Sequence, residues 1–436
     1  MFSGMLNSWT KSRRIVRSLT AANRSRGQLR DPHRYDALER RQLLAGLPTL
    51  IDILAGAGAS EANLFTNVNN TVFFRANDGA SGLELWKSDG TSAGTTLVKD
   101  IRPGSGWANP SELTNVNGTL FFRANDGTSG YELWKSDGTS AGTTLVKDIR
   151  PGSGSANPSE LTNVNGTLFF RANDGTSGYE LWKSDGTSAG TTLVKDILPG
   201  SGSSNPSLLT NVNGTLFFRA NDGTSGYELW KSDGTSTGTT LVKDIRPGSN
   251  SSSPYHLTNV NGTLFFRAHD GTSGQELWKS DGTSAGTTLV KDIRPGSGSS
   301  YPYRLTNVNG TLFFGANDGT SGHELWKSDG TSAGTTLVKD IRPGSESSFS
   351  LHLTNVNGTL FFRATDGTSG YELWKSDGTS AGTTLVKDIR PGSESSFSLH
   401  LTNVNGTLFF RATDGTSGYE LWKSDGTSAG TTLVKD

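Results

Sequence analysis

Residues 113–160 read LTNVNGTLFFRANDGTSGYELWKSDGTSAGTTLVKDIRPGSGSANPSE, and units of this 48-residue length fill the chain eight times over from residue 53 to residue 436. A fixed period of this length is typical of architectures in which each repeat is one supersecondary unit. The last two units, 341–388 and 389–436, are identical, which indicates a recent duplication. One tryptophan marks each unit, always 48 residues from the next: Trp86, Trp134, Trp182, Trp230, Trp278, Trp326, Trp374 and Trp422.

Each unit is predicted to form four short strands, 113–116, 119–124, 131–136 and 143–149 in the repeat quoted above. Asn117-Gly118 is a strong hairpin signal, because both central residues of a type I′ turn need a positive φ. Asp-Gly sequences follow the second and third strands, where aspartate side chains can bond to the backbone of a turn. The sequence therefore predicts an antiparallel four-stranded sheet in each unit.

The second strand, TLFFRA, indicates how these sheets pack. Phe121 and Phe122 point to opposite faces because side chains alternate along a strand. A sheet with one solvated face does not need an aromatic ring on both sides. The pattern favours small sheets packed between neighbours, as in the blades of a β-propeller. We predict an all-β propeller of eight four-stranded blades; the alternative is a β-solenoid, which the three tight hairpins per unit disfavour.

The composition excludes several classes of function. The chain has 56 glycines and no cysteine, which leaves no disulfide, thiol catalysis or zinc–thiolate site. Its formal charge is -1, without the basic footprint of a nucleic-acid binder. This neutrality is a cancellation, because residues 1–48 carry +7 and the remainder carries -8. The sequence has no stretch of 18 or more apolar residues, so no membrane span is predicted.

Two segments resemble known bacterial sequences. Residues 132–143, ELWKSDGTSAGT, and their equivalents resemble the ELWxxDGT repeat of large exported bacterial proteins, a match that covers residues from about 53 onward. The resemblance implies an extracellular repeat module and gives no settled biochemical role. Residues 38–44, LERRQLL, are similar to the LEPR-xLL segment near the N-terminus of bacterial surface and secreted proteins, although Arg40 replaces its proline. This second resemblance implies export, and an extracellular or cell-surface location is expected.

The charge pattern divides the chain into a basic, disordered export or targeting segment at 1–48 and the repeat array at 49–436. Residues 43–54, LLAGLPTLIDIL, can be interpreted as a late apolar region of a signal, followed by small residues suited to cleavage. They can also be interpreted as the degenerate end of a lost repeat, because Asp52 and Ile53 lie 48 residues before Asp100 and Ile101. The two interpretations are compatible with each other.

No catalytic constellation is predicted, because a near-perfect repeat supplies eight copies of everything. His256, His352 and His400 share one position of the repeat, and other units place Glu, Leu or Arg there. Such drift indicates a variable exposed surface, and we expect this position to lie in the inter-blade connector, residues 150–160 of the quoted repeat. The recurring aspartates are explained by turn chemistry, so no cofactor or metal is predicted, with Ca²⁺ as the less favoured alternative.

The predicted binding surface is the propeller face that carries the inter-blade connectors, together with the loops between second and third strands. The repeat units differ most in their connectors, and aromatic rings recur on this face, which is typical of recognition surfaces. Candidate ligand-binding residues are Tyr131, Tyr179, Tyr227, His323, Tyr371, Tyr419, Trp107, Tyr255 and Tyr301.

The sequence thus predicts a monomeric, non-enzymatic binding or adhesion propeller that recognises an extracellular glycan or protein. A structural surface protein without a specific ligand is the alternative. A hydrolase or lyase on a propeller frame is less favoured, because it would need paired carboxylates within one pocket.

Overall fold

The computed structural model describes residues 51–54 and 58–435, and within them the chain forms eight separate four-stranded antiparallel sheets and no helix. The protein is an all-β propeller of eight blades, as the repeat predicts. Blade 1 contains β1–β4, and each later blade takes the next four strands in chain order. The described residues include no helix long and apolar enough to cross a membrane. The predicted export segment, 1–48, lies outside the described residues.

The strands of each blade recur at the 48-residue period. The first strands are β1 (Asn63–Val68), β5 (Ser111–Val116), β9 (Ser159–Val164), β13 (Ser207–Val212), β17 (Tyr255–Val260), β21 (Tyr303–Val308), β25 (Leu351–Val356) and β29 (Leu399–Val404). The second strands are β2 (Thr71–Asn77), β6 (Thr119–Asn125), β10 (Thr167–Asn173), β14 (Thr215–Asn221), β18 (Thr263–His269), β22 (Thr311–Asn317), β26 (Thr359–Thr365) and β30 (Thr407–Ala412).

The third strands are β3 (Leu83–Ser88), β7 (Tyr131–Ser136), β11 (Tyr179–Ser184), β15 (Tyr227–Ser232), β19 (Gln275–Ser280), β23 (His323–Ser328), β27 (Tyr371–Ser376) and β31 (Glu420–Ser424). The fourth strands are β4 (Thr96–Lys99), β8 (Thr144–Lys147), β12 (Thr192–Lys195), β16 (Thr240–Lys243), β20 (Thr288–Lys291), β24 (Thr336–Lys339), β28 (Thr384–Lys387) and β32 (Thr432–Lys435). First strands of successive blades contact one another, so they lie innermost.

The predicted Asn-Gly hairpin is confirmed. Asn117 and Gly118 have φ values of 50° and 86°, the pair of positive angles that a type I′ turn requires. The first strand begins two residues earlier than predicted, at Ser111, because a β-bulge lies between Ser111 and Thr114. The bulge adds one residue to the first strand at its connector end, and so sets the position of the residues that follow the connector.

The core consists of repeated layers between neighbouring blades. One side of a blade, which we call its rear face, contributes the phenylalanine at the Phe121 position, with Leu133 and Val146. The opposite side of the next blade, its front face, contributes Phe170 and Trp182. Burying a large aromatic on both faces of the second strand, as predicted, is what joins each blade to its two neighbours.

Candidate functional site

The connectors and the loops between second and third strands do lie on one face, as predicted. The Asn125 amide donates to the carbonyl of Ala108 (3.0 Å), and the Asn157 amide donates to the carbonyl of Tyr131 (3.0 Å). Each connector is therefore bonded both to the blade that it leaves and to the blade that it enters. We call this surface the connector face.

A buried glutamate holds each connector in place. Glu132 is fully buried, its Oε2 accepts the amide of Ile149 (2.9 Å), and its Oε1 accepts the amide of Ala156 (2.8 Å). Burial raises the pKa of this carboxyl to about 7, against the amide donors that lower it. The same shift to about 7 is found at Glu84, Glu180, Glu228, Glu276, Glu324 and Glu372.

Sequence reasoning missed this role for the glutamate, because the ELW motif gives no sign of what the side chain contacts. Its partners lie 17 and 24 residues further along the chain. The signal that was present is the pairing of an invariant acid with a connector of constant length. In five connectors the residue whose amide is the second donor, at the Ala156 position, is a serine: Ser204, Ser252, Ser300, Ser348 and Ser396.

The tyrosines at the start of the third strand are less available than predicted. Tyr131 is half-buried, the guanidinium of Arg123 lies 5.4 Å from its ring centroid, and Asn109 Nδ2 donates to its hydroxyl (3.2 Å). An arginine over the ring is a cation–π contact that occupies the ring face. The same contact covers Tyr179, Tyr227, Tyr371 and Tyr419, of which only Tyr419 is exposed. These rings therefore serve mainly to fix the connector face.

The other predicted aromatics are exposed, as expected of a recognition surface. Trp107, Tyr255 and Tyr301 are exposed on the connector face, and Phe349 and Phe397, which the prediction did not include, are exposed at the repeat position of Tyr301. These residues concentrate in blades 5 to 8. We call Tyr255, Tyr301, Phe349 and Phe397 the aromatic sector.

Three residues of the aromatic sector adopt a strained backbone conformation. Tyr301, Phe349 and Phe397 have φ values of 49°, 47° and 50°, in the left-handed region that bulky side chains avoid. The fourth connector has Ser253 here, and the first three have an asparagine, which tolerates this region well: Asn109, Asn157 and Asn205. Strain of this kind is common at binding sites.

Blade 6 builds a distinct aromatic cluster beneath the sector. His323 stacks on Phe349, with ring centroids 5.9 Å apart, and meets Tyr303 edge-on at 5.7 Å. Gly315 replaces the arginine of the other blades, and a side chain there would collide with the Tyr303 ring. Tyr303 thus takes the space of the missing arginine. Tyr303 Oη and His323 Nδ1 are buried without a hydrogen-bond partner among the described residues.

The variable histidines do not lie in the connectors, which corrects the sequence interpretation. They occupy the β-bulge of the innermost strands, where Glu112 Oε2 accepts the amide of Glu160 (3.0 Å) in the next blade. His256 is half-buried, and burial together with Arg267 and Arg304 lowers its pKa to about 4. Burial, with nearby arginines, also lowers the pKa of His352. These imidazoles are therefore neutral at pH 7.

The recurring aspartates bond within their own turns, as predicted. Asp126 Oδ1 accepts the amides of Thr128 (2.8 Å) and Ser129 (2.7 Å), and Asp137 Oδ1 accepts the amide of Thr139 (2.8 Å). His269 keeps the same turn in blade 5, because its Nδ1 accepts the amide of Gly271 as an asparagine does elsewhere. The described part of the chain holds no group of three or more His, Asp or Glu side chains placed to bind a metal ion.

No protein-family model matches the chain, and no curated protein matches it either. Solved structures with a similar fold include a puromycin hydrolase (12% identity, TM-score 0.39) that matches over 88% of this chain and 55% of its own. A structure from an analysis of two prolyl endopeptidases has 12% identity to this chain and a TM-score of 0.42, and it matches over 84% of this chain and 54% of its own. The β-propeller domain of the Trilobed protease from Pyrococcus furiosus has 9% identity and a TM-score of 0.39, and it matches over 87% of this chain and 99% of its own. The chain thus spans about half the length of those first two peptidase structures.

Proposed function

We propose that this propeller is a non-enzymatic, exported carbohydrate-binding protein whose ligand lies on the aromatic sector of blades 5 to 8. The observation that carries the proposal is the run of exposed aromatic rings at one position of three successive connectors, Tyr301, Phe349 and Phe397. Each ring is held in a strained backbone conformation where the first three connectors have asparagine and the fourth has serine. Phe397 is the duplicate of Phe349, but Tyr301 and Phe349 lie in connectors of different sequence, and a costly residue in both favours a use for the exposed ring.

The chemistry of this surface supports a polyhydroxylated ligand. Aromatic rings offer rigid, amphipathic contact area to the apolar face of a sugar ring. The neighbouring His256 and His352 are neutral, so each imidazole presents one donor and one acceptor, which suits hydroxyl groups. Several equivalent weak contacts in adjacent blades would combine on a repeating polymer.

The test is retention of the full chain on a carbohydrate array. The triple variant Tyr301→Ala, Phe349→Ala, Phe397→Ala is expected to weaken retention at least about tenfold, a loss of about 1.4 kcal/mol. Trp107→Ala is the matched control, because Trp107 is exposed on the same face outside the sector. The proposal fails if the wild-type chain is retained by no carbohydrate, or if Trp107→Ala loses as much retention as the triple variant.

A further inference from the structure

The seven interfaces between successive blades are near copies of one another. At one of them the rear face of blade 5 contributes Phe265 and Leu277, and the front face of blade 6 contributes Phe314 and Trp326. Polar bonds set the register of each interface. For example, Lys291 Nζ in blade 5 donates to the carbonyl of Thr335 in blade 6 (2.8 Å), and the equivalent bond forms at the other six.

Among the described residues, none packs on the rear face of blade 8 in this way. Leu421 and Val434 are 48% and 44% exposed, whereas their counterparts in blade 7, Leu373 and Val386, are 0% and 5% exposed. Blades 7 and 8 have identical sequences, so the difference comes from the missing neighbour alone. The face that is uncovered in blade 8 is one that the molecule elsewhere buries completely.

The matching surface is the front face of blade 1, which no later blade covers in the part of the chain that the structure describes. Phe65 is 64% exposed and lies against Phe74, with ring centroids 5.4 Å apart. A shallow cavity of about 300 Å³ opens beside them and is bordered by Ile53, Gly90 and Thr95 among others. Thr95 stands at the repeat position whose carbonyl accepts the lysine bond at each internal interface.

The segment before β1 has the contacts of a connector. Ile53 packs with Phe74 and Trp86, as Ile101 packs in the layer that holds Trp134. The Asn77 amide donates to the Ser60 carbonyl (2.7 Å), the bond that Asn125 makes to the connector residue Ala108. These contacts agree with the interpretation of residues near 53 as the end of a repeat.

Glu420 completes the correspondence. The other seven glutamates of this position are fully buried and accept amides from a following connector, whereas Glu420 has no such partner among residues 51–54 and 58–435. The amides of Ile53 and Ser60 stand at the repeat positions of its absent donors. The Glu420 carboxyl of blade 8 therefore lacks its two connector donors, and the segment before β1 carries amides that can take their place.

We propose that the rear face of blade 8 binds the front face of blade 1 in a second copy of this chain, so that copies associate head to tail. In the interface, Glu420 accepts the Ile53 and Ser60 amides of the partner, and Lys435 donates to the Thr95 carbonyl. Phe65, Leu421 and Val434 are exposed, so the two faces are not closed on each other within one chain, and the close packing of the seven internal interfaces resists the deformation that closure would need. A second copy requires no change in either chain.

This association is heterologous, because two different surfaces meet. It leaves one uncovered face at each end of the assembly, so growth can continue beyond the dimer. The proposal replaces the monomer that the sequence analysis expected, and it is independent of the carbohydrate ligand.

The test is sedimentation of the full chain over a range of concentrations. The wild-type chain is expected to form dimers and longer assemblies as concentration rises. Phe65→Asp blocks the front end and Val434→Asp blocks the rear end, and each variant alone is expected to stay monomeric. A one-to-one mixture of the two is expected to form a dimer and nothing larger, since only one productive pair of faces remains.

Ser140→Asp, which adds the same charge to an exposed loop, is the control and is expected to assemble like the wild-type chain. A wild-type chain that is monomeric at every concentration overturns the proposal, as do end variants that assemble normally. Amide hydrogen exchange provides a second readout. Protection of residues 420–435 is expected to increase with concentration, whereas protection that is independent of concentration would indicate closure within one chain and would also overturn it.

Discussion

The buried glutamate is the residue on which each connector depends. In blade 5, Glu276 Oε2 accepts the Ile293 amide (3.0 Å) and Oε1 accepts the Ser300 amide (2.8 Å). Glu276→Gln would turn an NH₂ group toward one of these donors and leave it unsatisfied. At about pH 8, where a carboxyl with a pKa of about 7 is ionised, we expect a loss of about 1–3 kcal/mol in the free energy of unfolding, measured by urea denaturation.

The chain offers its own control for this substitution. Glu420→Gln changes the same residue in a blade where the carboxylate lacks those partners, so at dilutions that keep the chain monomeric its effect should stay within about 0.5 kcal/mol. Equal losses at Glu276 and Glu420 would show that the connector bonds do not stabilise the fold.

Residue-scale features divide clearly into those that the sequence predicts and those that it does not. The turn at Asn117-Gly118 and the bonds of Asp126 involve neighbouring residues only, so composition and spacing predict them. The contact of Arg123 with Tyr131 and the connector bonds of Glu132 depend on packing between strands and between a strand and a distant connector. Local propensity carries no information about such partners, which is why the exposure of Tyr131 was overestimated.

At the scale of an element, the connector of blade 6 combines strain with an exposed ring. Phe349 has a φ of 47°, and Asn157 has nearly the same value, 49°, in an earlier connector. Since asparagine tolerates this region better, we expect Phe349→Asn to stabilise the chain by about 0.5–1 kcal/mol in thermal or urea unfolding. If the proposed function is correct, the same variant should lose retention on carbohydrate.

The reverse substitution, Asn157→Phe, should destabilise the chain by a similar amount and leave carbohydrate retention intact. A Phe349→Asn variant that is less stable than the wild type would contradict the assignment of strain. A variant that is more stable and binds normally would instead favour an unconstrained loop over a recognition surface.

Strand placement was largely predictable, because hairpins and alternating burial are properties of one blade. The bulge between Ser111 and Thr114 was not, and it moved the variable position of Glu112 and His256 from a connector to the innermost strand. A bulge adds one residue to one strand, so its presence depends on how the partner strand pairs. The variable residues were therefore identified correctly from the sequence, but they were placed in the connector because the bulge was not predicted.

For the whole molecule, the seven raised glutamate pKa values make stability depend on pH. Each carboxyl has a folded pKa of about 7 and an ordinary value of 4.5, so the folded chain holds protons that the unfolded chain releases between these limits. Their contribution to the free energy of unfolding is fully present below about pH 4.5 and is lost as pH rises through about 7. The lowered pKa values of His256, His323 and His352 act in the opposite direction in part of this window.

Seven glutamates against three histidines leave a net fall in stability as pH rises from about 5 to 7.5. Urea unfolding at a series of pH values measures it, and Glu276→Gln should make the slope shallower by removing one of the seven groups. Stability that is flat or rising over this interval would mean that the amide donors keep these carboxylates ionised at acid pH.

The identity of residues 341–388 and 389–436 has a consequence for the gene. Unequal recombination between the coding segments of these two identical units can delete or add one 48-residue unit without creating a new junction in the protein. The products would keep the same N-terminal surface and the same C-terminal surface, because every copy of the unit ends in the same strand. The number of repeats can therefore vary between closely related genes while the ability of their products to join one another is retained.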